Sequence, residues 1–70
     1  MERQSVDSSM IAAIGYDAET QTVEVEFKRG AIWQYEGVPA PVYQAMMESE
    51  SIGKYFNAEI KGQYPETEVG

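Results

Sequence analysis

Thr22-Val23-Glu24-Val25-Glu26-Phe27-Lys28-Arg29-Gly30-Ala31-Ile32-Trp33-Gln34-Tyr35-Glu36 decides the fold. Residues 22–28 alternate polar and apolar without a break, the mark of a strand with one buried face. Lys28-Arg29-Gly30 makes a hairpin turn, and Gly30 suits the left-handed position that ends a three-residue loop. Residues 31–36 return as the next strand. A three-residue loop sets Phe27 opposite Ala31, Val25 opposite Trp33 and Val23 opposite Tyr35, all six on one face. A two-residue loop would pair Val25 with Gln34 and set Trp33 beside Glu26. Only the first register separates apolar from polar side chains, so it is the one expected. It leaves Thr22, Glu24, Glu26, Lys28, Ile32, Gln34 and Glu36 on a second face that is polar and mostly acidic.

Upstream, Met10-Ile11-Ala12-Ala13-Ile14-Gly15-Tyr16 is apolar at nearly every position and reads as the most buried strand. Helix is possible there on propensity alone; Ile11, Ile14, Gly15 and Tyr16 favour strand. Residues 17–21 are a turn. Downstream, Gly37-Val38-Pro39 ends the third strand, and Pro39 and Pro41 sit where a helix can start without amide donors. Val42, Tyr43, Met46 and Met47 recur at helical spacing over residues 40–48. Ser51 is the expected N-cap of a second helix, whose stripe is Ile52, Tyr55, Phe56 and Ile60. Lys61 lies at its C-terminal dipole end, Gly62 at its C-cap, and Tyr64 is expected to fold back onto the core. The expected fold is α+β: a three-stranded antiparallel meander in the order β-β-β-α-α, with two short helices packed on one face. One domain over residues 9–64 is expected, between a flexible N-terminus at 1–8 and a flexible acidic tail at 65–70.

Composition narrows the chemistry. The 70 residues carry 5 Lys+Arg against 12 Asp+Glu, a formal charge of −7, with no His and no Cys. Disulfides, thiolate or imidazole metal sites, and Cys or His catalysis are thereby excluded. There is no Leu, and Ile, Val and Phe together make 13 residues, near the range where chains stay disordered. Five Tyr, one Trp and four Met restore a core, because aromatic rings bury large areas. No apolar run approaches the roughly 18–20 residues of a membrane span, and the first residues have no apolar signal-peptide region. No membrane partner and a cytoplasmic location are the default expectations.

A set of motifs runs through the chain: Gly15-Tyr16-Asp17, Val23-Glu24-Val25-Glu26-Phe27, Trp33-Gln34-Tyr35, Gly37-Val38-Pro39 and Ser51-Ile52-Gly53-Lys54-Tyr55-Phe56-Asn57, followed by Ile60-Lys61. In these the chain resembles the KTSC domain, a short domain found at the C-terminus of some lysyl-tRNA synthetases and as stand-alone bacterial and phage proteins. The motifs span roughly residues 9–64 in the family's order. Trp33-Gln34-Tyr35 departs from the family's Tyr-x-Tyr while keeping its aromatic character. The resemblance implies a binding module with no assigned activity. Attachment to a synthetase points to RNA by association, not by mechanism.

Four groups of residues are candidates for a site. Trp33 and Tyr35 have the character of base-stacking rings on a sheet, but the register turns both toward the helices, which favours core packing; Tyr55 and Phe56 belong with them as core aromatics. Ser51, Gly53 and Lys54 could offer a helix start to a phosphate, although capping and close packing explain Ser51 and Gly53 equally well. Lys28, Arg29, Lys54 and Lys61 hold four of the five positive charges and would form a basic spot if they converged, although scattered solvated charges are the expected case. The carboxylates lack a pocket that would separate their pKa values, and no calcium loop is present, so no catalytic residue, metal or cofactor is expected. The expected function is a non-catalytic binding module that recognises RNA, such as tRNA, or a phosphate-bearing ligand weakly. The alternative is an acidic module that binds a basic protein or itself through its polar sheet face or a free strand edge. A phage-type protein that sequesters a nucleotide signal fits the size and acidity but rests on no particular residue.

Overall fold

The central hairpin forms in the expected register, with Val23 opposite Tyr35 and Val25 opposite Trp33. The Phe27 amide donates to the Ala31 carbonyl at 2.8 Å to close the loop, and Gly30 takes the left-handed conformation at φ 103°. A side chain at Gly30 would be strained there, which is why glycine ends this turn. A computed structural model describes residues 2–70. Its elements in chain order are β1 (Arg3–Ser5), β2 (Ile11–Asp17), β3 (Thr22–Phe27), β4 (Ile32–Tyr35), α1 (Ala40–Glu48), α2 (Ile52–Tyr55), a π-helical turn (Phe56–Ile60) and β5 (Glu66–Glu68).

The fold class is α+β, but the sheet has five antiparallel strands in the order β1-β2-β3-β4-β5 and not three. The two additional strands are its edges, and both come from segments read as polar chain ends. β1 pairs Arg3 with Gly15 and Ser5 with Ala13. After the helices, the chain returns beside β4 and pairs Tyr35 with Glu66 and Trp33 with Glu68. The Ile32 amide donates to the Gly70 carbonyl and the Glu36 amide to that of Pro65, so residues 65–70 follow the whole of β4. These edges are held by backbone pairing and carry no apolar alternation, so pattern could not reveal them.

β2 also explains its own ambiguity. Ile11 and Ile14 are both fully buried although three apart, a spacing that puts residues of a regular strand on opposite faces. The ladder shifts between Ile11, opposite Phe27, and Ala13, opposite Glu26, so Ala12 is the extra residue of a β-bulge. The bulge returns Ile11 to the core face. The core joins Ile11, Ile14, Val23, Val25 and Tyr35 of the sheet to Val38, Met46, Phe56 and Ile60 from the helical layer.

Ser51 caps α2 as expected, its Oγ accepting from the Lys54 amide at 3.3 Å. After one α-turn the helix widens into the π turn, which keeps both Phe56 and Ile60 buried. π turns of this kind are rare and frequently lie at functional sites. Tyr64 packs against the core from the far side of this turn. No helix among the described residues is long and apolar enough to cross a membrane.

Candidate functional site

Between the tip of the β3–β4 hairpin and the π turn lies a cavity of about 460 Å³, within the size range of small-ligand sites. Its apolar walls are Met10, Phe27, Trp33, Tyr35 and Phe56. Three backbone features place them. The hairpin register puts Phe27, Trp33 and Tyr35 on one face, the π turn lays Phe56 over them, and the Lys28 amide donates to the Met10 carbonyl at 2.9 Å. Phe56 meets Phe27 and Tyr35 edge to face, at centroid distances of 5.6 and 5.3 Å. This is the favoured geometry for aromatic pairs.

Lys28, Arg29 and Lys61 lie around this cavity, together with Ser9, Asn57 and Glu66. Three of the five basic residues of an acidic chain therefore converge. Lys28 was expected on the polar sheet face; the turn carries it to the cavity instead. The Arg29 guanidinium sits 5.4 Å from the centre of the Phe27 ring, a cation–π contact. Among the described residues the ion pairs are those of Arg3, with Glu24 at 2.6 Å and Glu26 at 3.3 Å. Lys28, Arg29 and Lys61 make none.

Trp33 and Tyr35 differ in environment although they share a face. Tyr35 is buried, and burial, with the Glu66 carboxylate beside it, pushes its hydroxyl up to about 12. Trp33 is half-buried and lines the cavity, and its Nε1 is a buried donor with no hydrogen-bond partner. Such a donor costs roughly 1–3 kcal/mol of desolvation.

Lys54, Ser51 and Gly53 line a second, polar depression with Asp7, Ser8, Glu50 and Asn57. Ser51 is occupied as the cap. A Cβ on Gly53 would come within 3.2 Å of the Ser8 Oγ, so glycine there lets the helix approach the segment before β2. Tyr55 packs against the core and lines neither depression. The outer sheet face is less openly acidic than its sequence implied. Glu24 is only 7 % exposed, because Arg3 reaches it across the sheet and Gln34 donates to it at 2.9 Å. Burial raises the Glu24 carboxyl, but the Gln34 and Arg3 hydrogen bonds and the Arg3 charge outweigh it and hold the group below its ordinary range.

Sequence reasoning missed Ser9, Met10, Asn57 and Glu66 as cavity residues, and it read Phe27 as core alone. Asn57 follows Phe56 directly within the π turn. Glu66 lies on β5, which leaves no pattern to read. No group of three or more acidic residues suited to a metal ion occurs among the described residues.

Comparison with known proteins accounts for most of the chain. The KTSC domain model matches residues 7–64. An uncharacterized protein of Stutzerimonas stutzeri is 45 % identical over 64 residues, covering 91 % of this chain and 90 % of that protein. A lysine–tRNA ligase of Nostoc is 40 % identical over 58 residues, 83 % of this chain but only 10 % of the ligase. The crystal structure of a KTSC domain protein from Yersinia pestis superposes with a TM-score of 0.93 at 38 % identity, covering 99 % of this chain and 97 % of that one. The backbone fold is thus shared with that structure, and the chain belongs to the KTSC domain family.

Proposed function

We propose that this domain is a non-catalytic binding module that takes a phosphate-bearing ligand at the cavity between the hairpin tip and the π turn. One observation carries the reading: Lys28, Arg29 and Lys61, none of them ion-paired among the described residues, surround an aromatic-walled cavity in a chain of net charge −7. With so many carboxylates in the chain, leaving three cations unpaired beside apolar surface favours an external anion. Charge-assisted hydrogen bonds from Lys and Arg are the strong ones for phosphate. The ligase relatives make RNA one source of phosphate, yet the overall charge repels a long polyanion, so a small ligand fits better. The acidic-face alternative has less support, because Glu24 and Glu26 are already engaged by Arg3.

The test is a titration of isotope-labelled protein with ribose 5-phosphate at low salt, read by amide NMR. Shifts are expected at residues 28–30 and at Lys61, weakening as salt is added and lost in Arg29→Glu. Unchanged affinity in that variant, or a flat salt response, would reject the reading. A parallel titration with tRNA that moves the same amides more strongly would assign the phosphate to RNA.

A further inference from the structure

We propose that the cavity is a nucleotide site, in which the base stacks on Trp33 while its phosphate meets Lys28, Arg29 and Lys61. This rests on the phosphate reading above and adds the second half of the ligand. The ring pairs among the described residues are Tyr16 with Tyr43, Phe27 with Phe56 and Tyr35 with Phe56. Trp33 enters none of them, although it lines the same cavity as Phe27, Tyr35 and Phe56. It is also the only Trp of the chain. A packing role alone does not call for an indole here, because Phe would fill apolar space without a buried N–H, and the Trp33 Nε1 has no partner. What the indole adds is the largest flat π surface a side chain can offer, on which a base stacks without regard to sequence.

The other walls distinguish a base from a simpler ring. Ser9, Asn57 and Glu66 share the cavity with the aromatic residues. Asn57 supplies both donors and an acceptor, Ser9 a hydroxyl and Glu66 an acceptor. A nucleobase has polar edges that need such partners, whereas a phenyl ring has none. The cations supply the complementary half: a lipid tail would leave them unused, and a bare phosphate would leave the rings unused. The volume of about 460 Å³ falls within the range for ligands of this size.

The experiment titrates the full chain with AMP, GMP, CMP and UMP, and with ribose 5-phosphate and phenyl phosphate as controls, following Trp33 fluorescence and heat. At least one nucleotide is expected to quench Trp33 and to bind about tenfold or more tighter than either control, as a base–aromatic stack implies. Trp33→Phe should shrink that advantage, weakening the nucleotides more than ribose 5-phosphate. Lys61→Gln, a milder surface change, should weaken nucleotides and ribose 5-phosphate alike. Nucleotides that bind no tighter than ribose 5-phosphate would overturn the base half and leave the phosphate reading standing; if neither binds, both fall. Phenyl phosphate binding as tightly as the best nucleotide would replace the base with a phosphorylated phenyl ring. A single-stranded hexaribonucleotide binding tighter than the matching monophosphate would show that the base arrives in a strand, and equal affinity assigns the free nucleotide.

Discussion

Two depressions share Asn57, Ser9 and Met10, and they have opposite characters. The hairpin-tip cavity has aromatic walls and three cations, with Glu66 as its one acidic residue. The depression at the start of α2 has one cation, Lys54, beside Asp7 and Glu50. Its free amides are in part already used by Ser51, whose Oγ accepts from the Lys54 amide. On the proposed reading, a lysine near a helix start does not by itself make an anion site. What separates the two places is whether the cations have local counter-charges and whether apolar surface beside them excludes water and strengthens their field.

The largest effect should come from a fully buried residue of the hairpin-tip cavity. Phe56 is 1 % exposed, closes the hairpin-tip cavity and packs edge-on against two rings. Phe56→Ala should cost about 3–5 kcal/mol of stability, measured from denaturant midpoints. A loss below about 1 kcal/mol would mean that Phe27 and Tyr35 close over the gap, and that the cavity is not held open by its aromatic frame.

The next effect is a pH dependence to which the same wall contributes, alongside Tyr16, whose hydroxyl is also pushed up by burial and by Asp17. The Tyr35 hydroxyl is raised from 10.0 to about 12 in the folded domain. The folded state therefore holds this proton more tightly than the unfolded chain does. The stability this contributes is complete below pH 10 and is lost as pH rises through 12, on the order of 2–3 kcal/mol. Thermal midpoints followed across that window should fall in the parent and fall less in Tyr35→Phe. Identical curves for the two would place the alkaline loss elsewhere. At the other end of the scale Glu24, held below its ordinary range, contributes stability above its unfolded pKa that is lost as pH falls through the folded value. That loss belongs to the outer sheet face and should not depend on Tyr35.

The parts of this molecule that were legible in the sequence are those encoded by side-chain periodicity. The hairpin register followed from keeping Val25 with Trp33 and away from Gln34, and the Ser51 cap followed from its place before an apolar stripe. The edge strands were not legible because Arg3-Gln4-Ser5 and Glu66-Thr67-Glu68 carry no apolar residue; partners 8 to 12 positions away for the first and 31 to 35 for the second select them by backbone pairing. β2 lay between these cases, since the bulge at Ala12 produced the i, i+3 spacing of Ile11 and Ile14 that also fits a helix. For the candidate site, the basic residues could be named but not their meeting. Lys28 and Arg29 are local to the hairpin, while Lys61 joins them only because the π turn delivers it to the same cavity. Turn geometry of that kind has no composition signature, and the sequence predicted an ordinary α-helix there.

The smallest effect gives the sharpest form of the comparison, because it asks whether the two depressions act as one. Ser51 is exposed, and its single capping bond is long at 3.3 Å, at the head of a helix with only four residues in α-geometry. Ser51→Ala should therefore cost about 0.5–1 kcal/mol, at the low end for N-caps. If the α2 start binds no anion, Ser51→Ala and Lys54→Gln should both leave ribose 5-phosphate affinity unchanged at 0.1 M salt, where charges more than about 10 Å apart are screened. Arg29→Glu should abolish binding under the same conditions. The three variants thus separate loss of a cap, loss of the other depression's cation and loss of a ligand contact. A clear weakening in Lys54→Gln at that salt would break the comparison: the wall shared through Ser9, Met10 and Asn57 would then join the two depressions into one longer groove, with room for a second phosphate beside Lys54.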